Sequence, residues 1–459
     1  MDRKDFKVVI MAAGEGTRMK SSLPKVLHKV QGKTLVEWVI DSTRDITERP
    51  VIIYGNGGEK IKETLGEGYE YVLQKERLGT GHAVMQAIDS IRGSRFTVVL
   101  AGDMPLIRKE SITALAEGAQ KKDISCLTLT ASPEKTPQFG RIIRDEDGNI
   151  TSIVEDKDAT PEQKKIKELN ISIYCFRTDD LIDALGKIGT DNAQHEYYLT
   201  DVISVLHGEG KKVDSIVIED IKESMGVNTR VQLAEAGKAL RERINEKMML
   251  SGVTMIDPEN TYIDDGVTVG RDTIIYPGVI LENGTTVGEG CTLYQGSRIN
   301  ASHIGNGTTV ENSVLLEARV GDRTKVGPNA YLRPGTVIGD DCRIGDFVET
   351  KNAVIGNGTK VSHLTYVGDA RLGEDINIGC GVVFVNYDGT EKNISTVADG
   401  AFIGCNTNLV APVNVGEGAY IAAGTTITRD VPSGSLAIGR VRQSVKEGWA
   451  RGRYKIHRK

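Results

Sequence analysis

Between residues 263 and 430 an aliphatic side chain returns every six residues. Ile263, Val269, Ile275, Leu281, Val287, Leu293 and Ile299 keep one phase. After short slips the pattern continues through Ile304, Val310 and Leu316, through Val320, Val326, Leu332, Ile338 and Ile344, and through Ile355, Val361 and Val367. It runs on through Leu372, Ile378 and Phe384, then Ile403, Leu409, Val415, Ile421 and Ile427. Glycine often follows, as in Val269-Gly270, Val287-Gly288, Ile304-Gly305 and Ile338-Gly339. This period is neither the 3.6 of a helix nor the 2 of a strand. It fits a short parallel strand plus a corner, with the aliphatic inward and glycine or asparagine at positive φ in the turn. Three such segments would close a triangular coil of about 18 residues, and the whole stretch would stack roughly nine coils as a parallel β-helix. The longest interruption, 385–402 (VNYDGTEKNISTVADGAF), is polar and out of register. It is expected to leave the solenoid as a loop, where repeat proteins often bind ligands.

The 52 glycines are concentrated in this half, which locates a domain boundary. Residues 1–228 read differently. Apolar strand candidates at 7–12, 50–54, 96–101 and 125–130 alternate with helical stretches such as 33–43 and 80–92. That alternation argues a doubly wound α/β (Rossmann-like) domain, a mostly parallel sheet with helices on both faces. Leu233, Ala236, Leu240, Ile244 and Met248 follow helical spacing, so 229–250 is expected to be one connecting helix about 33 Å long. The β-helix domain then occupies 251–459 and ends in the basic tail 440–459.

The net charge of −6 gives no reason to expect nucleic acid or an anionic membrane as partner. No apolar run approaches a membrane span, and the start lacks the apolar core of a signal peptide. Six scattered cysteines (126, 175, 291, 342, 380, 405) make no metal-ligand cluster and read as reduced thiols of a cytoplasmic protein.

The apolar run Val8-Val9-Ile10 empties into MAAGEGTRM (11–19). Gly14 and Gly16 give G-x-G, but Met19 stands where a dinucleotide fingerprint needs its third glycine. No Gly-Lys-Ser/Thr follows at the P-loop spacing. The loop, including Ala12, Ala13 and Gly14, would offer backbone N–H groups to a phosphate, with Arg18 adding charge. Pro24-Lys25 brings an ammonium within reach of the same phosphates. In LAGDMP (100–105), Asp103 ends an apolar strand, and a carboxylate there suits Mg²⁺ bridging to substrate phosphates.

The pattern A-A-G-x-G-T-R-M followed by Pro24-Lys25 is similar to the sugar-nucleotide pyrophosphorylases. Gln74 with Leu78-Gly79-Thr80-Gly81-His82-Ala83 looks like that family's uracil-reading stretch. Phe139-Gly140-Arg141, Ile153-Val154-Glu155, Asn170 and Gly226-Val227-Asn228 match its sugar and metal positions. The hexads resemble the hexapeptide-repeat acyltransferases, whose coils wind left-handed and usually assemble as trimers. Nearly end to end, the chain resembles the bacterial bifunctional enzymes that join N-acetylglucosamine-1-phosphate uridylyltransferase to glucosamine-1-phosphate acetyltransferase. The resemblance implies that Lys25 and Arg18 neutralise UTP phosphates and that Gln74, Gly79 and Thr80 hold the uracil. Gly140, Glu155 and Asn170 would grip N-acetylglucosamine-1-phosphate, and Asp103 and Asn228 would ligate Mg²⁺. One departure is Ala101, where such enzymes often carry tyrosine.

A solenoid can be a pure scaffold, so the rival reading is a single-activity nucleotidyltransferase whose β-helix only oligomerises it. Against it stands the stretch 333–392. Arg333 and Lys351, 18 residues apart, would stack on adjacent coils to bind a phosphate. His363 and Tyr366 follow, then Asn377, and Asn386, Tyr387 and Lys392 in the extruded loop. Acetyl transfer to an amine needs a base, and a histidine suits that task near neutral pH. By resemblance, His363 is that base, Arg333 and Lys351 hold the sugar phosphate, and Tyr366 and Asn377 bind the sugar, with Lys392 in the same site. Asn386 would orient the amine, and the Cys380 N–H would meet the thioester oxyanion. Acetyl-CoA would lie between subunits near Cys380, Asn386, Tyr387, Cys405, Ala423 and Arg440, with the tail and Trp449 closing over it. The remaining histidines (28, 82, 195, 207, 303, 457) read as structural. The expected whole is a cytoplasmic homotrimer making UDP-N-acetylglucosamine from glucosamine-1-phosphate, acetyl-CoA and UTP.

Overall fold

The computed structural model describes residues 2–55, 57–134 and 139–451. The chain divides into two compact units, Met1–Arg243 and Ile244–Lys459, and the division falls inside one long helix, Arg230–Leu250.

The first unit is built on a nine-stranded sheet among the described residues. Its central path runs Val213–Val217, Cys126–Ala131, Leu169–Arg177, Phe96–Ala101, Phe6–Ala12, Val51–Gly55, Glu70–Gln74. All these neighbours are parallel except Leu169–Arg177, which is antiparallel to the strands on both sides. Alternation along the strands divides the apolar residues between two faces. Val8, Ile10, Ile52, Val98 and Leu100 pack with Val36, Val39 and Ile40 of the helix Leu35–Ser42 and with Ile112, Leu115 and Ala119 of the helix Lys109–Lys122. Val9, Val51, Ile53 and Val99 pack on the opposite face against Ala83, Val84, Leu181 and Val202. Both faces are therefore covered, as the strand–helix alternation requires.

Local detail departs from the sequence reading at two helices. The stretch 33–43 begins as a strand, Lys33–Thr34, and the helix starts only at Leu35. Thr34 and Glu37 form a capping box that fixes this start. The stretch 80–92 is two helices, Thr80–Gln86 and Ile88–Ile91, separated at Ala87. His28 is buried at a structural position, its Nδ1 3.2 Å from Arg230 Nη1. Burial, with the Arg230 charge beside it, holds this imidazole below its ordinary pKa.

In the second unit, short strands stack in parallel ladders with a repeat near 18 residues: Ile263 faces Leu281, Leu281 faces Ile299, and Ile275 faces Leu293. Among the described residues one ladder alone carries eleven strands, from Thr254–Met255 to Leu436–Ala437. Nearly every hexad aliphatic lies inside the coil, as Ile263, Ile275, Leu281, Leu332 and Val361 illustrate at 0 % exposure, while Val269 near the start of the solenoid is half-buried. Leu316 is a correction. The inward residue is Leu315, paired with Ile299 and Leu332, while Leu316 is half-buried. The chain shortens its step to five residues there, so the hexad phase slips one residue earlier. The glycine that follows the aliphatic also has another cause than positive φ. A Cβ on Gly270 would meet Glu289 N at 2.6 Å, and one on Gly288 would meet Asn306 N at 2.8 Å. These glycines let successive coils stack. The left-handed corners are elsewhere, at Gly278, Gly284, Gly290 and Gly296 and at asparagines such as Asn312 and Asn329.

The extruded loop is shorter than 385–402. Val385 still belongs to a solenoid strand, and Ser395–Val397 returns to pair with Tyr366–Leu372 and Asn414–Val415. What leaves the coil is 386–394, closed by a bridge between Tyr387 and Lys392. Residues 440–451 form no helix or strand, and the rest of the basic tail, with His457, lies outside the described residues.

Candidate active sites

In the first unit the chain winds outward from Phe6–Ala12 through Val51–Gly55 to Glu70–Gln74, then returns to Phe96–Ala101 on the other side of Phe6–Ala12. The sheet thus reverses its winding between Phe6–Ala12 and Phe96–Ala101, where open α/β sheets place their ligand crevice. A cavity of about 320 Å³ opens at the carboxyl ends of these two strands. Ala12, Ala13, Gly14, Lys25, Gln74, Gly79, Thr80 and Asp103 all line it, as does Ala101 at the position that departs from the family pattern. A Cβ on Gly14 would meet nothing within 4 Å, so its backbone faces open space a phosphate can approach. Gly16 has φ of 63°, and a Cβ there would strike Lys25 Cβ at 2.6 Å. The loop therefore presses on the lysine that shares its cavity.

Lys25 Nζ donates to the Asp103 carboxylate and to Asn228 Oδ1, the latter at 2.9 Å. Three residues from distant parts of the sequence meet at one point. On the opposite wall, Gln74 Nε2 donates to the Gly79 carbonyl at 3.1 Å and lies 3.1 Å from His82 Nδ1. Gly79 has φ of 108°, and a Cβ there would lie 2.5 Å from Tyr197 O, so only glycine fits. The Thr80 hydroxyl accepts from Leu199 N–H at 3.0 Å. Arg18 is exposed and does not line the cavity.

The sugar trio stands apart from the cavity lining. Asn170 N–H donates to the Gly140 carbonyl at 2.9 Å, and the Asn170 amide donates to Tyr174 Oη at 2.7 Å. Glu155 accepts from the Thr200 hydroxyl at 3.3 Å. Burial, reinforced by the charges of Asp158, Asp201 and Asp156, pushes the Glu155 carboxyl above its ordinary value. Two charged lining residues escaped the sequence reading. Arg77 makes a salt bridge to Glu15 of the glycine loop, and Glu196 forms part of the wall. The signal for Arg77 was its place one residue before the Leu78-Gly79-Thr80 stretch; Glu196 gave none.

In the second unit, Leu332 pairs with Thr350, which sets Arg333 beside Lys351 on adjacent coils. Lys392 reaches the same spot. The Lys392 ammonium, which can donate to Lys351 only when that amine is neutral, together with the charges of Lys392 and Arg333, lowers the Lys351 pKa. Glu349 intrudes, accepting from Arg333 Nη1 at 2.7 Å. His363 is exposed at the end of the strand Lys360–His363. The next residue's carbonyl, on Leu364, accepts from Gly381 N–H at 3.0 Å, so Cys380 stands one coil from His363. Cys405 is next in this column, since Asn406 N–H donates to the Cys380 carbonyl at 2.8 Å. Gly424 N–H donates to the Cys405 carbonyl, which brings in Ala423, and a Cβ on Gly424 would lie 3.6 Å from Arg440 Cδ. Asn377 pairs with Lys360 and is exposed.

Asn386 is buried, and its amide donates to Asp369 Oδ2 at 2.5 Å and Tyr366 Oη at 3.4 Å. Asp369, which the sequence reading missed, also accepts from Asn352 at 2.6 Å. Its signal was the spacing: Asn352, Asp369 and Asn386 follow one another at 17 residues, one coil each. Tyr387 is exposed in the loop.

An α/β unit with a phosphate-type loop at its switch point, joined to a parallel β-helix that carries a cluster of cations and an exposed histidine, defines a nucleotidyltransferase fused to a hexapeptide-repeat transferase. The MobA-like NTP transferase domain family matches residues 8–147. The bacterial transferase hexapeptide family matches 317–351, and the hexapeptide repeat of succinyl-transferase matches 396–429. The chain is 49 % identical to the bifunctional protein GlmU of Acetivibrio thermocellus over 96 % of each chain. It is 49 % identical to that of Clostridioides difficile strain 630 over 97 % of each, and 51 % identical to that of Clostridium botulinum strain Langeland over 96 % of this chain and 97 % of that one. The chain belongs to the family of bifunctional GlmU proteins. It is a two-activity transferase, a uridylyltransferase and an acetyltransferase, and the reading of the β-helix as a mere scaffold is set aside. No helix among the described residues is long and apolar enough to cross a membrane.

Proposed function

We propose that the β-helix site acetylates glucosamine-1-phosphate and that the α/β site then converts N-acetylglucosamine-1-phosphate and UTP into UDP-N-acetylglucosamine and pyrophosphate. The observation that carries the reading is the meeting of Lys25, Asp103 and Asn228 at the edge of the glycine-loop cavity. In the uridylyl step, the backbone at Ala12, Ala13 and Gly14 and the side chain of Lys25 hold the triphosphate, and Arg18, exposed outside the cavity on the same loop, adds charge to it. Gln74, Gly79 and Thr80 hold the uracil, and Gly140, Glu155 and Asn170 the sugar. The sugar phosphate oxygen is already a competent nucleophile, so positioning and charge neutralisation supply most of the catalysis.

The donor set fits Mg²⁺. Asp103 and Asn228 aim two hard oxygens at one point, and a cation, the Lys25 ammonium, sits there. Among the described residues no group of three or more His, Cys, Asp or Glu side chains forms a closed cage. Mg²⁺ commonly takes one or two protein oxygens and completes its shell with water and substrate phosphates. Bound at Asp103 and Asn228, it would offset the charge of the triphosphate.

In the acetyl step, Arg333, Lys351 and Lys392 hold the sugar phosphate, and Tyr366 and Asn377 the sugar. His363 takes a proton from the amine as the nitrogen attacks the thioester carbonyl. The N–C bond forms, the C–S bond breaks, and the proton held by His363 passes to the departing sulfur, so CoA leaves as the thiol. Asn386 orients the amine and the Cys380 N–H faces the developing oxyanion. Acetyl-CoA runs along the column of Cys380, Cys405, Ala423 and Arg440, near Tyr387, in a homotrimer that works in the cytoplasm.

The test supplies glucosamine-1-phosphate, acetyl-CoA, UTP and Mg²⁺, then omits each in turn. UDP-N-acetylglucosamine should form only with all four. Omitting UTP should leave N-acetylglucosamine-1-phosphate and free CoA thiol. Product formed without acetyl-CoA would overturn the reading.

A further inference from the structure

The residues that converge on Lys25 come from two segments. One runs from Asp103 to Ser111, into the helix Lys109–Lys122; the other runs from Asp220 to Asn228. At the site itself a single backbone hydrogen bond joins them, Val227 N–H to the Asp103 carbonyl at 2.9 Å. A second junction lies away from the cavity, at Glu223. This side chain is 3 % exposed, and its carboxylate accepts from Arg108 N–H at 3.0 Å and from the Ser111 hydroxyl at 2.7 Å.

Both donors belong to the first turn of the helix Lys109–Lys122, whose own N-cap residue, Arg108, provides no side-chain cap. Helix N-termini carry unpaired N–H groups and a partial positive charge. The Glu223 carboxylate, brought from more than a hundred residues away, answers both. Around it, the Arg108 guanidinium donates to Asp220 at 2.9 Å. Arg243 donates to the Leu106 carbonyl at 2.6 Å and to Asp220 at 3.3 Å. The second junction is therefore a network bridging the two segments.

One hydrogen bond between two loops leaves them free to hinge about it. A second junction removes that freedom. Glu223 lies five residues before Asn228, and Arg108 five residues after Asp103, so the two junctions brace both side chains at matched chain distance. We propose that Glu223 is a positioning residue for the cation site, holding the Asp103 carboxylate and the Asn228 carboxamide at the separation a divalent cation requires. This rests on the reading of Asp103 and Asn228 as the metal ligands. Glu223 does not line the cavity and acts only through the two segments it joins. Groups behind metal ligands typically change metal affinity by about 10–100-fold when removed.

The test titrates the whole chain with Mn²⁺, following the free ion by electron paramagnetic resonance. Asp103→Ala defines the Mn²⁺ held at this site. Glu223→Ala weakens that binding about tenfold. It raises the Mg²⁺ concentration for half-maximal uridylyl transfer by a similar factor, and leaves acetyl transfer unchanged. Glu223→Gln keeps an acceptor oxygen for Arg108 N–H and recovers most of the affinity. Ser111→Ala removes one of the two hydrogen bonds, shifts Mn²⁺ binding in the same direction, and serves if Glu223→Ala does not fold. Mn²⁺ binding that does not depend on Asp103 overturns the metal-site reading and this inference with it. Asp103-dependent binding that Glu223→Ala and Ser111→Ala leave unchanged overturns the inference alone.

Discussion

The Lys25 ammonium bridges the Asp103 carboxylate and Asn228 Oδ1, with the Lys25 and Asp103 side chains only 12 % and 18 % exposed. A cation on a tether thus holds the point to which both oxygens are aimed. A triphosphate in the cavity offers Lys25 another partner, and a divalent cation can then take its place beside Asp103. Lys25→Met removes both functions. Uridylyl transfer should fall by about 10²–10³, the cost of losing one preorganised charge contact, while acetyl transfer is unchanged. Mn²⁺ should bind the nucleotide-free variant more tightly than the parent, because the competing ammonium is gone. Uridylyl transfer within about threefold of the parent would remove Lys25 from the machinery.

The proposed acetyl site makes a pH prediction. Lys351 titrates below an ordinary lysine because the Lys392 ammonium can donate to it only in its neutral form, and because Lys392 and Arg333 add like charge. A lysine with a lowered pKa loses its charge earlier as pH rises, whereas Arg333 stays charged. The apparent KM for glucosamine-1-phosphate should therefore rise at a pH below the ordinary lysine value of 10.5. Lys392→Ala should move that rise to higher pH, even as it weakens binding at neutrality. Profiles of kcat/KM against pH for the two proteins check this. An unmoved alkaline limb would show that Lys351 does not contact the phosphate.

How far the sequence reached depends on how local each signal was. The coils were legible because every buried aliphatic repeats at one spacing, and the glycine loop because its residues are contiguous. The phase slip at Leu315 was hidden among three adjacent apolar residues, Val314, Leu315 and Leu316, any of which could point inward. The return of the chain at Ser395–Val397 was hidden because a serine and a threonine lead it back. The antiparallel strand Leu169–Arg177 inserts between two strands that precede it, a pairing no local pattern encodes. Glu223 and Glu196 are silent for the same reason: each acts on residues far away in the chain.

Adjacent leucines test the phase slip. Leu315 is fully buried between Ile299 and Leu332, whereas Leu316 is half-buried. Leu315→Ala should destabilise the β-helix by about 2–5 kcal/mol through lost burial and the cavity left behind. Leu316→Ala should cost less than about 1 kcal/mol, in line with partly exposed positions. Urea unfolding followed by circular dichroism would compare them. Equal losses would mean that both side chains share the coil interior.

The cysteines should distinguish the two activities chemically. Cys126, Cys175, Cys291 and Cys342 are buried, and burial pushes all four thiols up, which suppresses the reactive thiolate. Cys380 is half-buried and Cys405 exposed, and they occupy adjacent coils in the column proposed for acetyl-CoA. A maleimide should therefore react at these two positions under native conditions. Acetyl transfer should fall as the label enters, and uridylyl transfer should persist in the same sample. Acetyl-CoA present during labelling should slow the loss, because the cosubstrate would cover both thiols. Cys380→Ala combined with Cys405→Ala should abolish the sensitivity, since neither change introduces bulk. Inhibition that acetyl-CoA does not slow would place the cosubstrate elsewhere on the β-helix.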